Sequence, residues 1–124
     1  MTGLPELRRA QNLRDVRNWL GLSLGEMAAR IPKTRGGKNE HVSRAFICLV
    51  QRGARNFLPQ QMEALVQMLQ EQLADEMRRD DFAVHVTTRS KWHVKVTAKC
   101  VKCGKWFEMK RATSRRCARC ARRE

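Results

Sequence analysis

Four of the five cysteines fall in two CxxC pairs, Cys100–Cys103 and Cys117–Cys120, with thirteen residues between the pairs. A CxxC turn aims two sulfurs at one point. Two such turns supply four thiolates, the donor set that a tetrahedral zinc ion takes. Gly104 follows the first pair and relieves crowding in its turn. Lys102, Lys105, Arg116 and Arg119 stand beside the cysteines and favour the thiolate state. An iron–sulfur cluster, a redox dithiol pair and four unrelated cysteines are the alternatives, and the spacing favours zinc. The expectation is one structural Zn2+ per chain on Cys100, Cys103, Cys117 and Cys120, because four protein ligands leave no open position for a catalytic water. The 43 residues after position 81 are too few to bury a large core, so the metal should stabilise them. Cys48, alone in an expected helix, reads as a small packing residue rather than a ligand.

Charge points to a partner. The chain of 124 residues carries 26 Lys and Arg against 12 Asp and Glu, a net charge of +14. Residues 1–81 hold 13 basic and 10 acidic side chains, a net of +3, whereas residues 82–124 hold 13 and 2, a net of +11. Excess positive charge favours polyanions through counterion release. The plain alternative is a basic tail that serves solubility. No apolar run approaches the ~20 residues that cross a bilayer, and the N-terminus lacks the apolar stretch of a signal peptide. A cytoplasmic protein with no membrane partner is expected, in which disulfides are disfavoured. Three Trp, four Phe and no Tyr argue mildly against a stacking platform for single strands.

Hydrophobic periodicity divides the chain into helices and then strands. A helix is expected over 5–20, with Pro5 in its first turn, Leu13, Val16 and Leu20 near one face, and Gly21 as its stop. Ser23 and Glu26 form a capping-box pattern for a second helix that Pro32 ends. Residues 33–40 read as a solvated loop. A third helix is expected over 39–52 with Val42, Phe46, Ile47 and Val50 as its apolar stripe. A long helix is expected over 59–79, where Met62, Leu65, Val66, Leu69, Leu73 and Met77 recur at helical steps. Near Asp81 the period falls to two, giving strands at 82–88 and 92–98 joined by a turn at 89–90, then a short strand at 105–110. His85 and His93 should face solvent on these strands. The expected fold class is α+β, with an all-α domain over 1–80 and a small antiparallel β domain over 81–124.

Two stretches resemble the Cro/cI-type (XRE) helix-turn-helix family. Residues 16–28, VRNWLGLSLGEMA, are similar to that family's first helix end, corner and second helix. Residues 42–55, VSRAFICLVQRGAR, are similar to its recognition helix and exit, and PQQMEALVQML to the helix that follows. The resemblance covers residues 7 to 73. The segment PKTRGGKNEH lengthens the turn before the third helix, and Leu24 stands where the family often has Gln. The tail resembles zinc ribbons, which occur in transcription factors, ribosomal proteins and antitoxins. Some antitoxins join a four-cysteine module to the same helix-turn-helix, with the metal module first rather than last.

The resemblance implies a prokaryotic or phage regulator of transcription, such as a repressor, that binds double-stranded DNA as a homodimer with its recognition helix in the major groove. Asn39, His41, Ser43 and Arg44 are then the candidate base contacts, and Lys33, Arg35, Lys38, Arg52 and Arg55 the candidate phosphate contacts. Each is otherwise an ordinary solvated side chain. A second class of function remains open, an antitoxin or RNA-polymerase adaptor that uses the ribbon to bind a protein. RNA binding is a third. The sequence holds no catalytic triad, phosphate loop or dinucleotide fingerprint, so an enzyme is not expected.

Overall fold

The computed structural model describes residues 3–33, 40–88, 91–111 and 113–122. Five helices come first, α1 (Leu4–Arg8), α2 (Leu13–Leu20), α3 (Leu24–Ala28), α4 (Arg44–Gln51) and α5 (Pro59–Met77). Three strands and a short helix follow, β1 (Phe82–Thr87), β2 (His93–Lys99), β3 (Trp106–Glu108) and α6 (Ala118–Arg122). Mixed helix with a small antiparallel sheet is thus the architecture, as the change of period implies.

The first helix expected over 5–20 is two helices. Asn12 restarts the chain by accepting the Asp15 amide at 2.9 Å, and the Asp15 carboxylate accepts the Gln11 amide at 3.0 Å. A side-chain cap of this kind stabilises a helix start by about 1 kcal/mol. The break was hidden because Leu7, Ala10, Leu13 and Val16 keep a three-residue apolar spacing across it, and all four are buried.

Gly21 closes α2 in the left-handed region at φ 72. Its amide reaches the Asn18 carbonyl at 3.0 Å and the Leu22 amide reaches Arg17 at 3.2 Å, the paired bonds of a glycine-terminated helix. Ser23 then opens α3. Its hydroxyl accepts the Glu26 amide and the Glu26 carboxylate accepts the Ser23 amide, both at 3.1 Å. Arg17 braces this corner, donating to the Leu22 carbonyl at 2.9 Å and to Gln51 of α4 at 3.2 Å.

The third helix starts later than residue 39. Pro32 and His41 form an isolated antiparallel bridge, Lys33 donates to Glu40 at 2.9 Å and Val42 to Ile31 at 3.1 Å. The ends of the 33–40 segment are therefore zipped together in extended conformation. Ser43 is the N-cap, its hydroxyl accepting the Phe46 amide at 3.2 Å.

In α5, Gln61, Leu65, Leu69, Leu73 and Met77 are buried at four-residue steps. Gln61 is satisfied by the Leu58 amide at 2.9 Å and the Pro32 carbonyl at 3.2 Å. The opposite stripe, Glu63, Gln67, Glu71 and Asp75, is exposed. With Glu76, α5 carries four carboxylates and no Lys or Arg.

The sheet has the order β1-β2-β3, antiparallel throughout. Phe82 faces Ala98, Val84 faces Val96 and Val86 faces Val94, and these pairs line the inner side. His85 and His93 lie on the exposed side, as expected. The turn expected at 89–90 lies outside the described residues. β1 packs on α5 and β2 on α1. The Trp92 amide donates to the Gln11 carbonyl at 3.1 Å, and Trp92 meets Phe57 edge-on with centroids 6.2 Å apart. One hydrophobic cluster, from Leu4 and Leu7 through Leu69 and Leu73 to Val84 and Val96, runs through both the helices and the sheet. Among the described residues no helix is long and apolar enough to cross a membrane.

Candidate metal centre and basic cleft

The end of β2 delivers the first cysteine. Cys100 donates its amide to the Lys105 carbonyl at 2.8 Å, and its own carbonyl accepts the Gly104 amide at 3.0 Å. Gly104 has φ 74, so the glycine after the pair meets a real backbone requirement. Cys117 immediately precedes α6 and Cys120 lies within it, three residues on, which places the two on one side of a helical turn. The Val101 amide donates to the Arg115 carbonyl at 3.0 Å and stitches the two halves together. The helix α6 was not expected. At five residues it is too short to show a period.

The Sγ atoms of Cys100, Cys103, Cys117 and Cys120 all lie within 4.8 Å of one another. Those of Cys103 and Cys117 are 3.7 Å apart. An ion about 2.3 Å from four tetrahedral sulfurs sets them about 3.8 Å from one another, whereas a disulfide needs about 2.05 Å. All five cysteines are free thiols, and Cys48 stands half-buried outside the cluster. The donor set and the spacing therefore fit a metal ion.

The thiols are unequal. The Cys103 and Cys117 amides, aimed at Cys100 sulfur, pull its pKa down to about 5. The Cys120 amide holds Cys117 below the usual thiol range. Cys120 is pushed up to about 12, first by its hydrogen bond with Cys117 and then by burial. Four sulfurs this close resist full ionisation unless a cation sits among them.

A residue that sequence reasoning missed supports the centre. Arg79 is buried, with 4% of its side chain exposed. Its guanidinium forks onto both carboxylate oxygens of Asp81 and donates to the Ser114 carbonyl at 2.9 Å. In the sequence it is one of two adjacent arginines at a helix end, and nothing local separates it from Arg78.

The candidate nucleic-acid contacts divide into three groups. Arg35, Lys38 and Asn39 lie outside the described residues. Lys33, His41, Ser43 and Arg55 come together around one cleft of about 630 Å³ at the start of α4, with Val42, Phe46 and Leu58 as its apolar part. Arg44 and Arg52 stand apart from it. Arg44 lies across Gly25 of α3, where an added Cβ would meet its Nε at 3.0 Å. Arg52 is the exposed C-cap of α4. The Ser43 hydroxyl is occupied as an acceptor by its cap and retains its proton to donate.

No protein-family model, no curated protein and no solved structure matches this chain.

Proposed function

We propose that this chain is a sequence-specific regulator that binds double-stranded DNA through α4, with one structural zinc on Cys100, Cys103, Cys117 and Cys120. In that reading α2, α3 and α4 make a helix-turn-helix, and the chain acts as a homodimer in the cytoplasm of a prokaryotic host. The observation that carries it is the cleft at the start of α4, where Lys33, His41, Ser43 and Arg55 meet. A helix docked in the major groove reads base edges from its N-terminal residues while neighbouring cations hold phosphates. The net charge of +14 supplies the attraction, and the Gly21–Ser23 corner braced by Arg17 supports the arrangement. Thiolate preference and the 3.7 Å sulfur spacing favour zinc over harder cations.

Selection from a random duplex pool, followed by titration of the enriched and scrambled sequences at several salt concentrations, tests the reading. Enrichment of one motif, preferred by a factor of about 10³ or more, is the expected outcome. Equal affinity for every duplex would overturn it.

A further inference from the structure

Beside the sulfurs lies a notch of about 380 Å³ lined by Cys103, Lys105, Trp106, Cys117, Arg119 and Cys120. That volume lies within the range of small-ligand sites. Trp106 is 58% exposed. The other two tryptophans are half-buried and engaged, Trp19 by its indole N–H to the Gly3 carbonyl at 3.0 Å and Trp92 against Phe57. An indole left in water forgoes one of the largest apolar burials a side chain offers. Its position on β3 explains the exposure, because Phe107 takes the inward-facing place and Trp106 and Glu108 point outward.

The surroundings are cationic. Between positions 99 and 122 nine residues are Lys or Arg and one, Glu108, is acidic. Glu108 is committed to Arg8 at 3.3 Å. The ion pairs among the described residues are Arg8–Glu108 and Arg79–Asp81, so among those residues no carboxylate pairs with Lys105 or Arg119 of the notch. An occupant must therefore offer a flat apolar face to the indole and negative charge to the rim. A duplex keeps its base faces stacked inside. A single strand presents base and phosphate together, and stacking on an aromatic side chain is largely indifferent to sequence.

We propose that this notch binds an unpaired nucleotide of a single-stranded nucleic acid, the base stacked on Trp106 and the flanking phosphates held by Lys105 and Arg119. The site rests on the nucleic-acid reading above and extends it to a second, duplex-independent mode. One exposed indole supplies the stacking face, although the chain is poor in aromatics as a whole.

The test uses the full zinc-loaded chain, a single-stranded oligothymidine, a duplex of equal length and polyglutamate. Tryptophan fluorescence and anisotropy are read for the wild type, Trp106→Phe, Trp106→Leu and the double variant Lys105→Ala, Arg119→Ala. Zinc content is measured for each. The single strand should quench the wild type. Trp106→Leu, which keeps apolar bulk but loses the ring face, should weaken single-strand binding about 10- to 100-fold, and Trp106→Phe should retain most of it. The double variant should flatten the salt dependence. Duplex affinity should move less than about two-fold in the Trp106 variants. Absent quenching, or single-strand affinity unchanged in zinc-replete Trp106→Leu, overturns the notch. Duplex binding without single-strand binding removes this inference and leaves the DNA-regulator reading intact, whereas failure of both ligands removes both. Trp106-dependent binding of polyglutamate alone would make the notch a protein contact and also overturn the proposal.

Discussion

Arg79, just beyond the end of α5, donates to the carbonyl of Ser114 at 2.9 Å across 35 residues of sequence. Ser114 lies three residues before Cys117, so the long helix holds the approach to the second cysteine pair. Arg79→Met should lose that bond and the fork onto Asp81, at a cost of about 1–3 kcal/mol. It should also make zinc easier to strip. Thermal melts and competition with a chromogenic chelator measure both. An unchanged melt and an unchanged competition curve would show that the bond is incidental.

The fork of Arg79 onto Asp81 fixes an acid dependence. The hydrogen bond from Arg79 holds the Asp81 carboxyl below its usual range. A depressed carboxylate contributes stability above its unfolded pKa of about 3.9, and that contribution is lost as pH falls through the folded value. The wild type should therefore lose stability below about pH 4 more steeply than Asp81→Asn. The Asp81 side chain is 51% exposed. Screening then keeps its share near about 1 kcal/mol, rather than the 3–5 of a fully buried pair. Denaturant midpoints between about pH 2.5 and 6 compare the two proteins. Parallel curves would contradict the assignment.

Metal content follows from the sulfur geometry. The purified chain should hold close to one equivalent of zinc, Cys117→Ser should hold far less, and Cys48→Ser should match the wild type. A tight chelator should loosen the strands together with the cysteine loops, because Cys100 continues directly from β2. Elemental analysis and circular dichroism supply the readouts. Less than half an equivalent in protein kept reduced throughout, or metal loss in Cys48→Ser, would contradict the site.

Gly25 and Arg44 give a test with effects of opposite sign. Replacing a helical glycine by alanine stabilises by up to about 0.5–1 kcal/mol, so Gly25→Ala, in the first turn of α3, should raise the melting temperature. An added Cβ would meet the Arg44 Nε at 3.0 Å, so the guanidinium must shift to admit it. If Arg44 reads a base, both Gly25→Ala and Arg44→Ala should weaken binding to the selected duplex. The loss for Arg44→Ala should be about 1–3 kcal/mol, with little change on random DNA. Equal losses on selected and random duplexes would move Arg44 to the phosphate backbone. Substitution in place suits this question better than removal of the sheet, which shares its core with α1 and α5.

Local signals were legible in the sequence and tertiary ones were not. Gly21, the Ser23–Glu26 box, the alternation in β1 and β2 and the spacing within each CxxC pair depend on residues a few positions apart, and each appears where the pattern puts it. In α5 Leu65, Leu69, Leu73 and Met77 are buried as expected, whereas Met62 and Val66 are half-buried and Gln61 takes a buried place. The break before Asn12 was masked by apolar spacing that a continuous helix would share. The late start of α4 depends on strand-like pairing between Pro32 and His41, nine residues apart, and on Ser43 serving as cap rather than as a helical residue. The burial of Arg79 and the exposure of Trp106 depend on what packs around them, which a run of residue types does not encode.

The carboxylates of α5 have a consequence for the encounter with a polyanion. Glu63, Glu71 and Asp75 make one exposed row with no compensating cation on that helix, in a chain whose excess charge is +14. Its charge is therefore unevenly spread, and in the nucleic-acid reading proposed above a polyanion at a distance would exert a torque on it. If the chain binds nucleic acid as proposed, the row should be turned away from the phosphates before contact forms, with fewer fruitless collisions. The orientational bias acts over about a Debye length, roughly 10 Å at 0.1 M salt. Capture should consequently be fastest in dilute salt and slow as ions accumulate, even where the final contacts are the same.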